Sequence, residues 1–570
     1  MSQLKETSVE VLKSDLLVLG GGIAGCLAAV VATEQGADVV LVDKGNLGRS
    51  GLSFQMSGVH SYFDPGKDNY DDCYRECVEG GEWLVDQKRL SGMLNETTDL
   101  IQRMESWGVR FQAQDGAYIR TPGVGMHYGR NVLMVNGGFQ MMSIIRGEVL
   151  QRGIKVIERV MVTDLLTSDG ELPTAGRVVG AVGFNVRNGK FYLFKSKATV
   201  IATGGTSLLW QGEGYMPSCS GDGQAMAFRT GCEMRNHDLC FFRYHPTGLN
   251  CAPGANALLG EGIIMVNANG ERFMPRLDSL RAERATAALV CRTMTAETQE
   301  GRGPIYWDAR HLSESSFSRL EKTIPIVMKS LNLIGLNFRK DKIPYSCHLG
   351  DLGPGGIRSD AVNATTIPAL YCAGASSDHG EDGVSNVINH GTESGVGGIR
   401  AGIAAARYCQ NNGEAAIKED QVKRLKEHIF APLRRDTGLT HQEIREHCMG
   451  IIDNGLLGPI RNEKGLKEVI DLVQAIKDEQ LPKLAAHDYH ELTRCLGVAN
   501  ALLFMELVPR CALMRTESRG SHYRKEYPER DDANWLKWVA TKKENDMISV
   551  WAEPIPFPEY PLKFTGGKAK

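Results

Sequence analysis

"DLLVLGGGIAGCLAAVVATEQGADVVLVDKG", residues 15–45, decides the fold. Asp15 to Leu19 is a short apolar run, Ile23 to Gln35 carries apolar residues at helical spacing, Gly36 is suited to a helix C-cap, and Val39 to Val42 is apolar again. Strand, Gly-rich turn, helix and strand therefore follow one another. Gly20, Gly22 and Gly25 make the GxGxxG spacing in that context. Gly20 permits the tight turn, Gly22 lets a pyrophosphate approach the backbone, and Gly25 lets helix and strand pack closely. The phosphates would sit on the positive end of the helix. Asp43, at the end of the second strand, can accept from ribose hydroxyls. The unit reads as a dinucleotide-binding βαβ.

With 570 residues and 42% hydrophobic composition, the chain can build three or four lobes. The 65 Lys+Arg against 68 Asp+Glu leave a net charge of -3 with no long one-signed run, which favours neither nucleic acid nor an anionic membrane. The 14 Cys include no CxxC pair, and the first residues, "MSQLKETSVEVLKSD", have no apolar core. Both features predict a reducing, cytoplasmic setting. Cys73 and Cys77 lie one helical turn apart and are read as structural. No apolar run is expected to reach the roughly 20 residues of a membrane helix, so membrane association would come through a partner.

Further along, "DQKRLSGMLNETTDLIQRMESWG" (86–108) is an amphipathic helix and "KVIERVMVTDLL" (155–166) a strand. Residues 176–205 alternate, turn at Asn188-Gly189, alternate again and end in "ATGG", where small residues follow a buried strand. Nucleotide-domain character returns near Ala369 to Cys372, and a small-residue helix runs on to about Tyr408. Helical spacing dominates from Glu414 to Met514, and "WAEPIPFPEYP" (551–561) is expected to be extended.

In order and over nearly the whole chain, "GGGIAG", "ATGG", "SGDGQAMAFRTG", "HPTG", "NGERFM", "ERATAA", "TIPALYCAGA" and "RTESRGSHYRKEYPERDDANWL" resemble one family. These segments are similar to those of the flavoprotein subunits of the fumarate reductase and succinate dehydrogenase superfamily, which also holds L-aspartate oxidase and the α subunit of adenylylsulfate reductase. The resemblance implies an α/β fold: a Rossmann-like FAD-binding domain (1–226 and 354–412) interrupted by an α+β capping and substrate domain (227–353). A helical domain (413–520) and an extended tail (521–570) follow. The implied cofactor is FAD, in contact with Gly20, Gly22, Ala24, Gly25, Asp43, Lys44, Ser50, Gly51, Ser57, Gly58, Val162, Ala202, Thr203, Gly204, Asp222, Gly374, Asn386, Val387 and Ile388, with Asn389 beside them. Asp222 can cap the helix of "GQAMAFRTG" or hold a ribityl hydroxyl. In membrane-bound succinate dehydrogenases the position matching Gly51 is a His that bonds covalently to the flavin. His60 lies too far along to replace it, so a non-covalent FAD is expected.

The same resemblance implies Arg284 as proton donor, with Glu283 or Glu271 relaying protons to it, and His245 and His348 as substrate-binding residues. His379, His390 and His522 are read as structural. Two departures concern the substrate. "GANALLGEG" (254–262) lacks the Thr-Glu pair of dicarboxylate enzymes, and "DHGEDG" (378–383) has Asp382 where those enzymes have an Arg. An acid there would repel a dicarboxylate. The expected activity is hydride exchange with a C=C/CH–CH bond of a carboxylate or thioester, electrons passing to or from an iron–sulfur partner. Alternatives are a sulfur-compound reductase of the adenylylsulfate type, suggested by "RSGLSFQMSG" and "EGRGPIYWD", and a flavin electron-transfer subunit without its own substrate.

Overall fold

The computed structural model describes residues 9–56, 59–122, 130–209, 218–249, 254–378, 388–453 and 455–564. The βαβ unit forms as the sequence predicts. Strand Val9–Leu19 pairs in parallel with Val39–Asp43, and helix Ile23–Glu34 joins them. Gly36, at φ +84°, turns the chain out of the helix in the left-handed region that glycine enters without strain. Seven strands make this sheet, in the order Lys155–Glu158, Val39–Asp43, Val9–Leu19, Phe191–Ile201, Val178–Asn185, Val160–Thr167, with Leu370–Cys372 also paired to Phe191–Ile201. The hairpin around Asn188-Gly189 closes as expected, with Phe184 opposite Phe191.

The stretch 155–166 is not one strand. Arg159 takes φ +60°, and the chain breaks there into two strands on opposite edges of the sheet. Its amide donates to the Gly45 carbonyl at 2.9 Å, so one hydrogen bond accompanies an uncommon backbone conformation that hydrophobic patterning could not reveal. The amphipathic stretch 86–108 likewise splits into helices Gln87–Leu90 and Met93–Ser106, separated at Gly92, φ +80°.

Helix His390–Asn411 lies against helix Ile23–Glu34 across a surface stripped of side chains. A Cβ on Gly398 would fall 2.3 Å from the Ala24 carbonyl oxygen, and one on Gly402 2.4 Å from that of Ala28. The chain near residue 400 is thereby pressed onto the helix that opens the nucleotide site.

A second, six-stranded antiparallel sheet is ordered Ile264–Val266, Ile305–Asp308, Lys342–Ile357, Met234–Pro246, Lys537–Glu544, Met547–Pro554. Its last two strands come from the C-terminal segment: residues 537–554 form a hairpin that Met234 and Arg235 receive as sheet partners. The start of "WAEPIPFPEYP" is therefore paired strand, and its prolines begin where pairing ends, at Pro554.

The segment "RTESRGSHYRKEYPERDD" anchors this arrangement through buried charge. Arg515 binds Asp238 at 2.5 Å and Glu517 at 3.0 Å, while Arg519 binds Glu517 at 2.7 Å, Asp532 at 2.8 Å and the Glu82 carbonyl at 3.0 Å. Each guanidinium is buried, and each acid supplies the partner without which burial would be prohibitive. The network joins the C-terminal segment to the second sheet and to the first lobe.

The helical region comprises Glu419–Ile429, His441–Asp453, Glu463–Ala475 and Tyr489–Met514. The last corrects the expectation that no apolar run reaches membrane length, since its 26 residues contain an 18-residue window of mean hydropathy 1.5. Within the structure 72% of that window is buried, and Asn500 and Glu506 find polar partners there, as in a core helix.

Two glycines separate packing from propensity. Gly398→Ala should lower the unfolding free energy by about 3 kcal/mol or more, because its methyl meets backbone. Gly147→Ala, in helix Gly137–Gln151 and with a Cβ that would meet nothing within 4 Å among the described residues, should be neutral or stabilising by about 0.5–1 kcal/mol. Denaturant unfolding of the holoprotein measures both.

Candidate functional site

Gly20, at φ +110°, brings the turn so close to the neighbouring strand that its Cβ would lie 2.2 Å from the Ala202 carbonyl oxygen. Gly25 is tighter still, its Cβ falling 1.9 Å from the Gly20 oxygen. Both glycines have the geometric role the motif assigns. The start of helix Ile23–Glu34 has no cap from its own N-cap residue, Gly22; instead the Ile23 amide donates to Ser53 Oγ at 3.2 Å. The other amides of that first turn are oriented for an anion.

Asp43 is more engaged than expected. One carboxylate oxygen accepts from the Gly21 amide at 2.6 Å, the other from the Gly45 amide at 2.6 Å and Ser50 Oγ at 3.1 Å. Its remaining lone pairs are what a ribose can use.

Asp222 does not cap the helix it opens: helix Asp222–Arg229 has Gly221 at its N-cap and no side-chain cap. Its carboxylate receives Lys44 Nζ at 2.6 Å, Ser220 Oγ at 2.7 Å and Asn500 Nδ2 at 2.9 Å. Burial works to raise this carboxyl, but Lys44, Ser220 and Asn500 together hold it below the ordinary value for an aspartate. The Lys44–Asp222 pair clasps the end of the second strand to the helix after "ATGG". Thr203 Oγ1 adds to this by accepting the Gly223 amide at 3.1 Å, and Ser376 Oγ donates to the Gly204 carbonyl at 3.0 Å.

One cavity collects Gly20, Gly22, Ala24, Asp43, Lys44, Ser50, Gly51, Val162, Ala202, Thr203, Gly204, Asp222 and Gly374 in its wall. Gly25 stands behind it as a packing residue, and Ile388 is buried outside the described lining. Ser57, Gly58, Asn386 and Val387 lie outside the described residues. The wall also contains Ser53, Gln55, Met56, Asn389, His390, Gly391 and Ser394; all lie in the two segments, Lys44 to Gly58 and "SNVINHGTESGVGGI", expected to border the flavin, but the resemblance singles out only Asn389 of them as a contact. Asn389 caps helix His390–Asn411 by accepting the Gly391 amide at 2.9 Å, so a helix N-terminus faces the cavity. His60 points elsewhere, to Thr392 Oγ1 at 3.0 Å, and burial lowers its pKa to about 4. Above Gly51, among the described residues and apart from its chain neighbours, no heavy atom lies within 4 Å of where a Cβ would be. The donor set, a glycine cradle with acid and helix terminus at one end and a second helix terminus at the other, fits a flavin dinucleotide.

The far wall belongs to the second sheet and its helices: Phe242, Arg243, Tyr244, Ala255, Asn256 and Ala287. His245 follows on the same strand, buried, with Nδ1 3.1 Å from the Pro246 carbonyl. His348 lies opposite Arg243 in the strand register, but its side chain is outside the described part. Arg284 is half-buried in the turn Ala282–Arg284, three residues before Ala287, and is not among the described lining residues. The two acids expected to serve it are occupied. Glu283 takes Arg272 at 2.7 and 2.6 Å and the Met265 amide at 3.3 Å, while exposed Glu271 takes Asn267 at 3.0 Å and Arg276 at 3.7 Å. His390 lines the cavity, and His522 is buried near Arg461, Arg515 and Arg524, which together with burial push its pKa well down. His379 lies outside the described residues.

Sequence patterns of known families agree with this geometry. The FAD binding domain family matches residues 15–387 and the fumarate reductase flavoprotein C-terminal family residues 449–565. The chain is similar to a subunit of the CoM/CoB fumarate reductase of Methanothermobacter marburgensis, 29% identical over 547 residues covering 91% of this chain and 95% of that protein. Among solved structures, E. coli quinol fumarate reductase superposes with a TM-score of 0.84 at 25% identity, covering 96% of this chain and 97% of its own. Adenylylsulfate reductase from Archaeoglobus fulgidus shares the fold, with a TM-score of 0.83 at 23% identity and 97% of each chain covered.

The clasp and Gly51 each lead to a measurable outcome. Asp222→Asn leaves Lys44 without its counter-charge and should cost the holoprotein about 3 kcal/mol at neutral pH. Because the Asp222 carboxyl is held below its ordinary value, this contribution is present above about pH 4 and is lost as pH falls further. Unfolding curves of wild type and Asp222→Asn should therefore converge in acid. Acid precipitation should also leave the yellow colour in the supernatant, as a cavity wall without a side chain at Gly51 requires.

Proposed function

The chain belongs to the FAD binding domain family, the FAD-dependent oxidoreductases of fumarate reductase and succinate dehydrogenase type, and on that premise we propose that it exchanges hydride with a C=C/CH–CH bond beside a carboxyl or thioester group. The observation that carries this reading is the double wall of the cavity. One side is the nucleotide lobe; the other is the second sheet with Arg243, Tyr244, Asn256 and Ala287, so a small substrate is held against the flavin by a different lobe. Similarity to the methanogen fumarate reductase protein over 91% of the chain supports the same reaction type.

Bound FAD supplies the two-electron chemistry: hydride to one carbon of the double bond, with a proton to the other, or the reverse. The chain supplies the proton and the orientation. Arg284 is our proton donor, carried on a 3-10 turn directly before the helix that reaches the cavity. Glu283 acts as a positioning residue, since its bonds to Arg272 and the Met265 amide pin that turn to strand Ile264–Val266. The helix N-terminus at Asn389 and His390 would favour negative charge on FAD bound in the cavity. Electrons would enter or leave through an iron–sulfur partner, as the sequence resemblance implies.

The second reading is a sulfur-compound reductase of the adenylylsulfate type, for which "RSGLSFQMSG" and "EGRGPIYWD" are the sequence argument; Ser50 to Ser53, Gln55 and Met56 of the first segment line the cavity.

Arg284→Gln should keep FAD and the fold while lowering turnover with an enoate acceptor by about 10³-fold, the scale of a lost proton donor. Steady-state assays with a reduced viologen donor measure it, and undiminished turnover would remove Arg284 from the mechanism.

A further inference from the structure

We infer that Arg89 is a positioning residue that sets the reduction potential of the bound flavin by offsetting the charge of Glu393, a role that rests on reading this cavity as the flavin site with a helix N-terminus facing it. Four buried charges meet behind that terminus. Arg89 Nη1 binds one carboxylate oxygen of Asp378, Arg235 Nε binds the other at 2.5 Å, and Arg89 Nη2 reaches Glu393 at 3.5 Å. None of the four side chains is more than 5% exposed.

Their places in the chain connect them to the cavity. Ala373, Gly374 and Ala375 line it, and Asp378 follows three residues later. Asn389, His390, Gly391 and Ser394 line it too, and Glu393 stands in the first turn of their helix. Arg89, on helix Gln87–Leu90 and outside the described lining, thus ties together the two segments that supply this end of the wall. Arg400, two turns beyond Glu393 on the same helix face, fixes the attachment: its Nη1 donates to the Arg89 carbonyl at 2.7 Å and its Nε to Glu96 at 2.7 Å. The Arg235 Cζ lies 4.1 Å from the centroid of the Trp538 ring, which joins the cluster to the C-terminal hairpin.

The charges give the cluster a direction. A carboxylate in a first helical turn offsets the positive end of the helix dipole. Glu393 therefore weakens the field that favours negative charge on a reduced flavin, and Arg89 restores it. Asp378 does not cancel this effect, because Arg235 supplies its second cation. Burial works to lower the Arg89 guanidinium, but Asp378, Glu393 and Asp86 push it upward, so it stays charged.

The test equilibrates anaerobic holoprotein with anthraquinone-2-sulfonate at neutral pH and reads flavin and dye absorbance, which gives the equilibrium for passing two electrons from reduced dye to flavin. Arg89→Gln should disfavour flavin reduction about 10-fold, the scale of a charge at a partly buried helix terminus and about 30 mV for a two-electron couple. Glu393→Gln should favour reduction by about the same factor. Arg89→Lys should stay near wild type, and Arg89→Gln combined with Glu393→Gln should return to it. Distortion alone would move the two single variants in the same direction or move neither, and either result would overturn the assignment. If Arg89→Gln does not retain FAD, Glu393→Gln and the double variant decide: easier reduction in the first with a wild-type equilibrium in the second supports Arg89, and any other pair of results overturns it. Reoxidation of the reduced flavin by crotonate separates this from the proposed reaction. Opposite shifts with crotonate inert would remove the C=C chemistry and leave Arg89 standing, whereas reoxidation by crotonate without the shifts would remove Arg89 alone.

Discussion

Three backbone contacts leave no room for a methyl group, and the site is built around them. Gly25 sits on the Gly20 carbonyl, Gly20 on that of Ala202, and Gly398 on that of Ala24. The first closes the turn on its own helix, the second binds that turn to the central strand, and the third presses the late helix His390–Asn411 onto the early one. Segments nearly 400 residues apart in sequence thus meet at one helix N-terminus. Interiors packed this closely accommodate change poorly, so the cavity inherits its shape from backbone rather than from adjustable side chains.

Charge then joins the lobes. Lys44 and Asp222 connect the second strand to the helix after "ATGG", and Asn500 ties that pair to the long C-terminal helix. Arg515, Glu517 and Arg519 connect the C-terminal hairpin to Asp238 and to the Glu82 carbonyl. Buried pairs of this kind set position more reliably than they add net stability. Their geometry explains why the distinctive run 515–532 is so rich in Arg and acid: its charges pair with one another, Glu517 with both Arg515 and Arg519 and Asp532 with both Arg519 and Arg530, and reach Asp238 and Glu82 outside the run.

The first lobe is legible in the sequence because its signals are local. The period of 3.6 after Gly22, the period of 2 on either side of Asn188-Gly189 and the small residues of "ATGG" each report on their own neighbourhood. The second sheet is not legible as a sheet, since Met234 pairs with both Ile357 and Thr541, and pairing over such separations leaves no periodic trace. The break at Arg159 is hidden because a positive φ at a non-glycine residue has no reliable residue signature. At the site, the glycines and acids of the nucleotide end can be assigned from spacing. The resemblance of "SGDGQAMAFRTG" puts Asp222 in the right locality, but its carboxylate answers a lysine rather than the helix amides. Phe242, Arg243 and Tyr244 line the far wall but fall in no motif, because their place there comes from a long-range sheet pairing.

Taken together, a rigid glycine cradle forms the nucleotide side of the cavity and a second lobe supplies the facing wall, so the proposed reaction is set by what that wall admits. The most direct test is to reduce the anaerobic holoprotein and follow flavin absorbance after mixing with fumarate, monocarboxylic enoates, enoyl thioesters, adenylylsulfate and oxygen in parallel. The account predicts fast reoxidation by an enoate or enoyl thioester, with the saturated compound as product. Reoxidation by adenylylsulfate alone, or by none of the carbon acceptors, would contradict it.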